Sequence, residues 1–111
     1  MKAFLVAGEP SGDRLGAALM AGLNAIMPGD ITYKGVAGPL MQAQGMHSLF
    51  DMSELSVMGI AEILPKYRHL KHRIAQTAQA VMNQNPDVLI TIDSPDFCLR
   101  VARIVKAQAP H

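Results

Sequence analysis

A single cysteine, Cys98, stands in the 111 residues, so the chain holds no intrachain disulfide and suits a reducing compartment. Net charge is also scarce. Ten Lys and Arg against nine Asp and Glu leave +1, so no global field draws in nucleic acid, and an electrostatic partner has to answer to a local cluster. The uncharged run Leu15 to Gly29 is 15 residues, short of the roughly 20 that cross a bilayer. Glu9 cuts the first apolar run before it can form the core of a signal peptide, and the expected location is the cytoplasm. His47, His69, His72, His111 and Cys98 have no metal-ligand spacing, and neither metal nor cofactor is expected. Gly8, Gly12 and Gly16 do not fit the dinucleotide pattern G-x-G-x-x-G, and no G-K-[ST] follows to make a phosphate loop. Repeats, linkers and low-complexity segments are missing as well.

What is present suits one globular domain: 50% of the residues are hydrophobic. The chain is organised around Ala3 to Gly16. Ala3-Phe4-Leu5-Val6-Ala7 is continuously apolar, as a strand covered on both faces would be. Gly8 stops it, and the turn Glu9-Pro10-Ser11-Gly12 leads into a helix. Leu15, Leu19, Leu23 and Ile26 fall at helical spacing and predict that helix's buried face, ended by Met27-Pro28-Gly29. Ile31 to Val36 reads as a second strand, closed by Ala37-Gly38 before Pro39 at a helix start. Residues 45 to 59 are broken by Gly45, Asp51, Ser53 and Gly59; a short strand at 48 to 50 and an irregular loop are expected. A helical pattern resumes at Ile60 and runs past Val81, with Pro65 either kinking it or marking where a longer helix begins. Asn83 to Pro86 ends it. Asp87 to Ile92 is the clearest strand. Ser94 as N-cap and Pro95 then start a last helix buried through Phe97, Val101, Ile104 and Val105.

Strands alternating with helices predict an α/β fold, a Rossmann-like parallel sheet flanked by helices. Ligands in such folds bind beyond the carboxyl ends of the strands, so the turns at Gly8 to Gly12, Ala37 to Pro39 and Asp93 to Asp96 should share one pole. Glu9 beside the first turn would repel a phosphate. A carboxylate, a hydroxyl and backbone amides at a helix start suit a polyhydroxylated ligand better. The plainer alternative is that Gly8 and Gly12 permit a tight turn and Asp13 favours its helix dipole. Asp96 falls in a first helical turn, where a negative charge is stabilising anyway. Asp93 ends a buried strand, where an ionisable group is costly unless used or paired, which makes it the better candidate for a general base.

Residues 66 to 73, Lys-Tyr-Arg-His-Leu-Lys-His-Arg, hold six groups that are or can become cationic, just after Val57, Met58, Ile60, Ile63 and Leu64. A basic segment joined to apolar residues is how a protein lies on an anionic bilayer; a solvated helix face packing its apolar side on the sheet is the other reading. Aromatic interleaving is limited to Tyr67, so nucleic acid is not an expected partner.

Four blocks in this order resemble the N-terminal part of the lipid-A-disaccharide synthase family, bacterial glycosyltransferases of the GT-B type. They are Val6-Ala7-Gly8-Glu9-Pro10-Ser11-Gly12-Asp13; Gly35-Val36-Ala37-Gly38-Pro39 with Met41-Gln42; Leu55 to Leu64, LSVMGIAEIL; and Ile92-Asp93-Ser94-Pro95-Asp96-Phe97. The resemblance implies transfer of 2,3-diacylglucosamine from its UDP derivative to 2,3-diacylglucosamine 1-phosphate, giving a β-1,6 disaccharide and UDP by inversion without a metal. It implies Asp93 as the base and Gly8, Glu9, Ser11, Gly12, Asp13, Gly38, Met58, Gly59 and Asp96 as substrate contacts. Ile60, Ile63, Leu64, Tyr67, Arg68 and Leu70 would meet acyl chains or the membrane, with the protein peripheral on the cytoplasmic face of the inner membrane. Residues 1 to 111 would be a truncated, acceptor-side Rossmann-like domain, without the C-terminal domain that binds the UDP-sugar, and inactive alone. An expectation from a different class is a non-catalytic Rossmann-like module that binds a small ligand.

Overall fold

Every residue from Ala3 to Ala7 is at most 1% exposed, because this strand lies between two others and under helices on both faces. The computed structural model describes residues 1–27, 29–55, 60–93 and 95–108, with side chains described outside 60–68 and 95–96. The elements run β1 Lys2–Val6, α1 Pro10–Ile26, β2 Thr32–Val36, α2 Pro39–Ala43, a 3-10 turn Met52–Leu55, α3 Ile60–Gln84, β3 Val88–Thr91 and α4 Pro95–Gln108. The sheet is parallel in the order β2-β1-β3, with Val6 opposite Val36 on one side and Thr91 on the other. The three carboxyl ends therefore stand side by side, in the Rossmann-like arrangement expected.

Helix α1 departs from its apolar periodicity. Leu15, Leu19 and Ile26 are 64, 39 and 78% exposed, and Leu23 is half-buried; the inward face is Gly12, Asp13, Gly16 and Met20. Small residues let this side approach closely: a Cβ on Gly16 would lie 2.5 Å from Met41 Sδ and 2.8 Å from Ile92 Cδ1. Hydrophobic spacing favours the large side chains, whereas packing here selects the face without them.

The strand expected at 48 to 50 is reduced to one parallel bridge between Ser48 and Gly35. The Ser48 hydroxyl accepts from Ala37 N–H at 2.9 Å and donates to the Phe50 carbonyl at 2.6 Å, which turns the chain at once out of the sheet. Pro65 lies inside α3, which begins before it, so it does not mark the helix start. Asn85, at φ 46°, ends α3 in the left-handed region that asparagine tolerates. Among the described side chains of α3, Ile74, Thr77, Ala78 and Val81 are buried. In β3 the residues Leu89 and Ile90 are half-buried, since this apolar strand forms one edge of the described sheet. Helix α4 buries Phe97, Cys98 and Val101, with Ile104 and Val105 packed against the core, close to the expected stripe; Ser94 lies outside the described residues.

Candidate active site at the strand tips

At the carboxyl pole the approach to α1 and the start of α2 both take an aspartate from elsewhere as acceptor. Helix α1 begins at Pro10 with Glu9 as N-cap and no side-chain cap of its own. Asp93, just past β3, supplies the acceptors: Gly8 N–H donates to its Oδ1 at 2.5 Å and Glu9 N–H to its Oδ2 at 3.1 Å. Gly12 makes room, because a Cβ there would overlap Asp93 Oδ2 and lie 2.7 Å from Cγ. Helix α2 begins at Pro39 after Gly38, which has no side chain to cap with. Here Asp13 fills the role: its carboxylate accepts from Gly38, Leu40 and Met41 N–H at 3.1, 3.0 and 2.9 Å. Free amides at a helix start attract negative charge, and each carboxylate lies where that attraction is strongest.

The two carboxylates differ in access. Asp13, expected as a ligand contact, is 2% exposed, and its carboxylate is turned inward to three amides at the β2 tip. Asp93 is half-buried and borders a cavity of about 400 Å³ floored by Ile92, Cys98, Leu99 and Ala102. A carboxylate has about four lone-pair positions, and two N–H donors leave Asp93 able to accept from a hydroxyl. Cys98, beneath it, donates its S–H to the Asp93 carbonyl at 3.1 Å. Burial, then the charge of Asp93, pushes the thiol up to about 11, so at neutral pH it is neither thiolate nor nucleophile.

At the β2 tip a second cavity, about 410 Å³, is lined by Gly38, Gln42, Ser48, Phe50, Asp51 and Ser53, among others. None of these except Gly38 was singled out as a ligand contact from sequence. Ser53 N–H bonds Asp51 Oδ1 at 2.9 Å; this bond, with the Ser53 hydroxyl, holds the Asp51 carboxyl below its ordinary range. Behind the wall, Arg73 of α3 lies 4.5 Å over the Phe50 ring and donates to Glu54 Oε1 and Oε2 at 3.2 and 3.1 Å. His69 Nε2 also bonds Glu54, whose carboxyl is lowered first by His69 and then by Arg73.

Thus Gly8, Glu9, Gly12, Gly38 and Asp93 do meet at one pole, with Glu9 and Ser11 exposed. Asp96 is the second residue of α4, its side chain not described; Met58 and Gly59 lie outside the described residues. Ile60, Ile63, Leu64, Tyr67 and Arg68 fall in the first half of α3, their side chains not described, and Leu70 packs partly against the core. Among the described residues no group of three or more His, Cys, Asp or Glu could hold a metal ion, and no helix is long and apolar enough to cross a membrane.

A carboxylate poised over the first βα turn, within a parallel sheet, invites comparison with known proteins. The family model described as lipid-A-disaccharide synthetase matches residues 3–111. The chain belongs to this family. Its relatives include proteins named lipid-A-disaccharide synthase from Ruegeria pomeroyi, 64% identical across 96% of this chain, and from Rhodospirillum centenum, 51% identical across 88%. Another, from Pseudomonas savastanoi, is 52% identical across 87%. These matches cover 26, 24 and 25% of the relatives, so the chain spans about a quarter of the length of the curated relatives it matches. In this chain the first and last of the four sequence blocks meet physically: the Gly8-Glu9 amides and Gly12 receive Asp93.

Proposed function

We propose that this chain is the acceptor-side part of a lipid A disaccharide synthase, a glycosyltransferase that moves 2,3-diacylglucosamine from its UDP derivative to 2,3-diacylglucosamine 1-phosphate. In this reading Asp93 accepts the proton of the acceptor's 6-hydroxyl as the oxygen attacks the sugar carbon and UDP departs. The observation that carries it is the half-buried Asp93 carboxylate, oriented by the Gly8 and Glu9 amides at a cavity mouth. Two fixed N–H donors hold the oxygens in one orientation, as a base aligned with one hydroxyl needs. The test is Asp93→Asn in a full-length enzyme carrying these residues. Turnover should fall by roughly 10²–10⁴-fold and the acidic limb of the pH–rate profile should vanish. Normal turnover would remove Asp93 from the mechanism.

The acyl chains of both substrates call for contact with a bilayer, and peripheral attachment on the cytoplasmic face of the inner membrane is part of the proposal. The sequence of α3 supports it: Ile60, Ile63, Leu64 and Tyr67 precede and interleave with Lys66, Arg68, Lys71 and Arg73. Exposed Lys71 and His72 continue that basic character, whereas Arg73 is engaged with Glu54. The chain should sediment with anionic vesicles and be released by high salt. Binding indifferent to lipid charge and salt would favour a helix that serves the fold alone.

A further inference from the structure

The β2-tip cavity lies one strand away from the Gly8 turn, and the chemistry of its lining is unusual for a Rossmann-like pole. In such folds the first amides of the helices commonly bind phosphate. Here those of α2 are already taken by the Asp13 carboxylate. The Gly8 and Glu9 amides entering α1 are taken by Asp93. The cavity adds a further carboxylate, Asp51, exposed and held ionised by Ser53, and among the described residues its lining contains no Lys or Arg. Arg73, behind the wall, is paired with Glu54. What the lining offers instead is the amide NH2 of Gln42, whose oxygen accepts from Ser48 N–H at 3.3 Å, the lone pairs left on the Ser48 and Ser53 hydroxyls, which spend their protons on the Phe50 carbonyl and Asp51, a carboxylate, and the edge of an apolar wall at Phe50 and Met52. Those groups match hydroxyls and the weakly polar body of a sugar ring, and they oppose a phosphate.

We propose that the cavity lined by Gln42, Ser48, Asp51 and Ser53 is a binding site for the uncharged, hydroxyl-bearing part of a pyranose and turns phosphate away. It rests on the reading of the pole as an acceptor site and deepens it: the sugar ring sits at the β2 tip with its 1-phosphate directed outward, away from Asp51. The cavity's volume admits one such ring.

The test uses the ¹⁵N-labelled chain with three probes: N-acetylglucosamine, N-acetylglucosamine 1-phosphate and inorganic phosphate, each to about 20 mM, since a single ring is a millimolar ligand. The neutral sugar should shift the amides of Gly38, Gln42, Ser48, Asp51 and Ser53 saturably. The 1-phosphate should bind about fivefold more weakly and inorganic phosphate not at all. Asp51→Asn keeps the turn with Ser53 but removes the charge, and should bring the two sugars to within about twofold, a change that loss of structure would not produce. Gln42→Ala should weaken the neutral sugar about fivefold, with amides far from the cavity unmoved as the folding control. Stronger binding of the 1-phosphate by the unaltered chain would overturn the proposal, as would the absence of any saturable shift. Shifts confined to Gly8 through Gly12 and Asp93 would also overturn it while leaving the role of Asp93 standing. Shifts at the β2 tip beside a fully active Asp93→Asn enzyme would uphold the cavity and dismiss the base.

Discussion

Asp13 and Asp93 perform the same local act, accepting backbone N–H groups at a helix entry, yet one is sealed and the other is at the border with water. Asp13 has three donors and 2% exposure; Asp93 has two donors and a cavity beside it. A buried carboxylate saturated by fixed donors serves the fold. One held by fewer donors at a cavity wall keeps lone pairs for chemistry. Hydrogen bonding to backbone therefore does not by itself separate a structural acid from a reactive one; access and remaining acceptor capacity do.

The comparison can be broken by exchanging the expected consequences. Asp93→Asn should show the largest effect, the 10²–10⁴-fold loss of turnover in the full-length enzyme, with a stability cost of only about 1 kcal/mol because one acceptor oxygen remains. Asp13→Ala should reverse the pattern. Three amides at the start of α2 lose their acceptor, and urea unfolding should register a loss of about 2–4 kcal/mol. An Asp13→Ala protein as stable as the parent would mean that water or a neighbour replaces the carboxylate without penalty.

Gly12→Ala sharpens the contrast from the other side. The added methyl overlaps Asp93 Oδ2, so the carboxylate must move, and turnover should fall at least about tenfold for about 1–3 kcal/mol of stability. Steady-state kinetics beside a thermal melt would show whether the two losses separate. The smallest effect concerns Glu54. His69 and then Arg73 hold its folded value below the ordinary 4.5, so the clasp adds stability above that pH and loses it as pH falls through the folded value. The difference in urea midpoint between the parent and Glu54→Gln should shrink as pH falls below the ordinary 4.5.

Much of this pole was legible in the chain. The continuous apolarity of Ala3 to Ala7 gave the central strand, and three glycine- or aspartate-bearing turns after apolar runs gave the shared pole. The face of α1 was not legible, because Leu15 and Leu19 carry the hydrophobic signal while Gly16 carries the contact. Nor was the task of Asp13. Its three donors sit 25 to 28 residues away in sequence, and only tertiary structure brings a helix start to a carboxylate on another helix. The β2-tip cavity was hidden for a similar reason: Ser48, Asp51 and Ser53 look like turn residues, and the wall they form depends on Arg73 from a distant helix.

Cys98 offers a consequence of another sort. The sole sulfhydryl of the chain is 4% exposed and uncharged at neutral pH, wedged where α4 meets the end of β3. Its sulfur shows little of itself to the cavity beside Asp93, so an alkylating reagent gains full access when that seam parts. The rate of its modification thus becomes a clock for the breathing of the segment that carries Asp93, built into the native chain with no label to install.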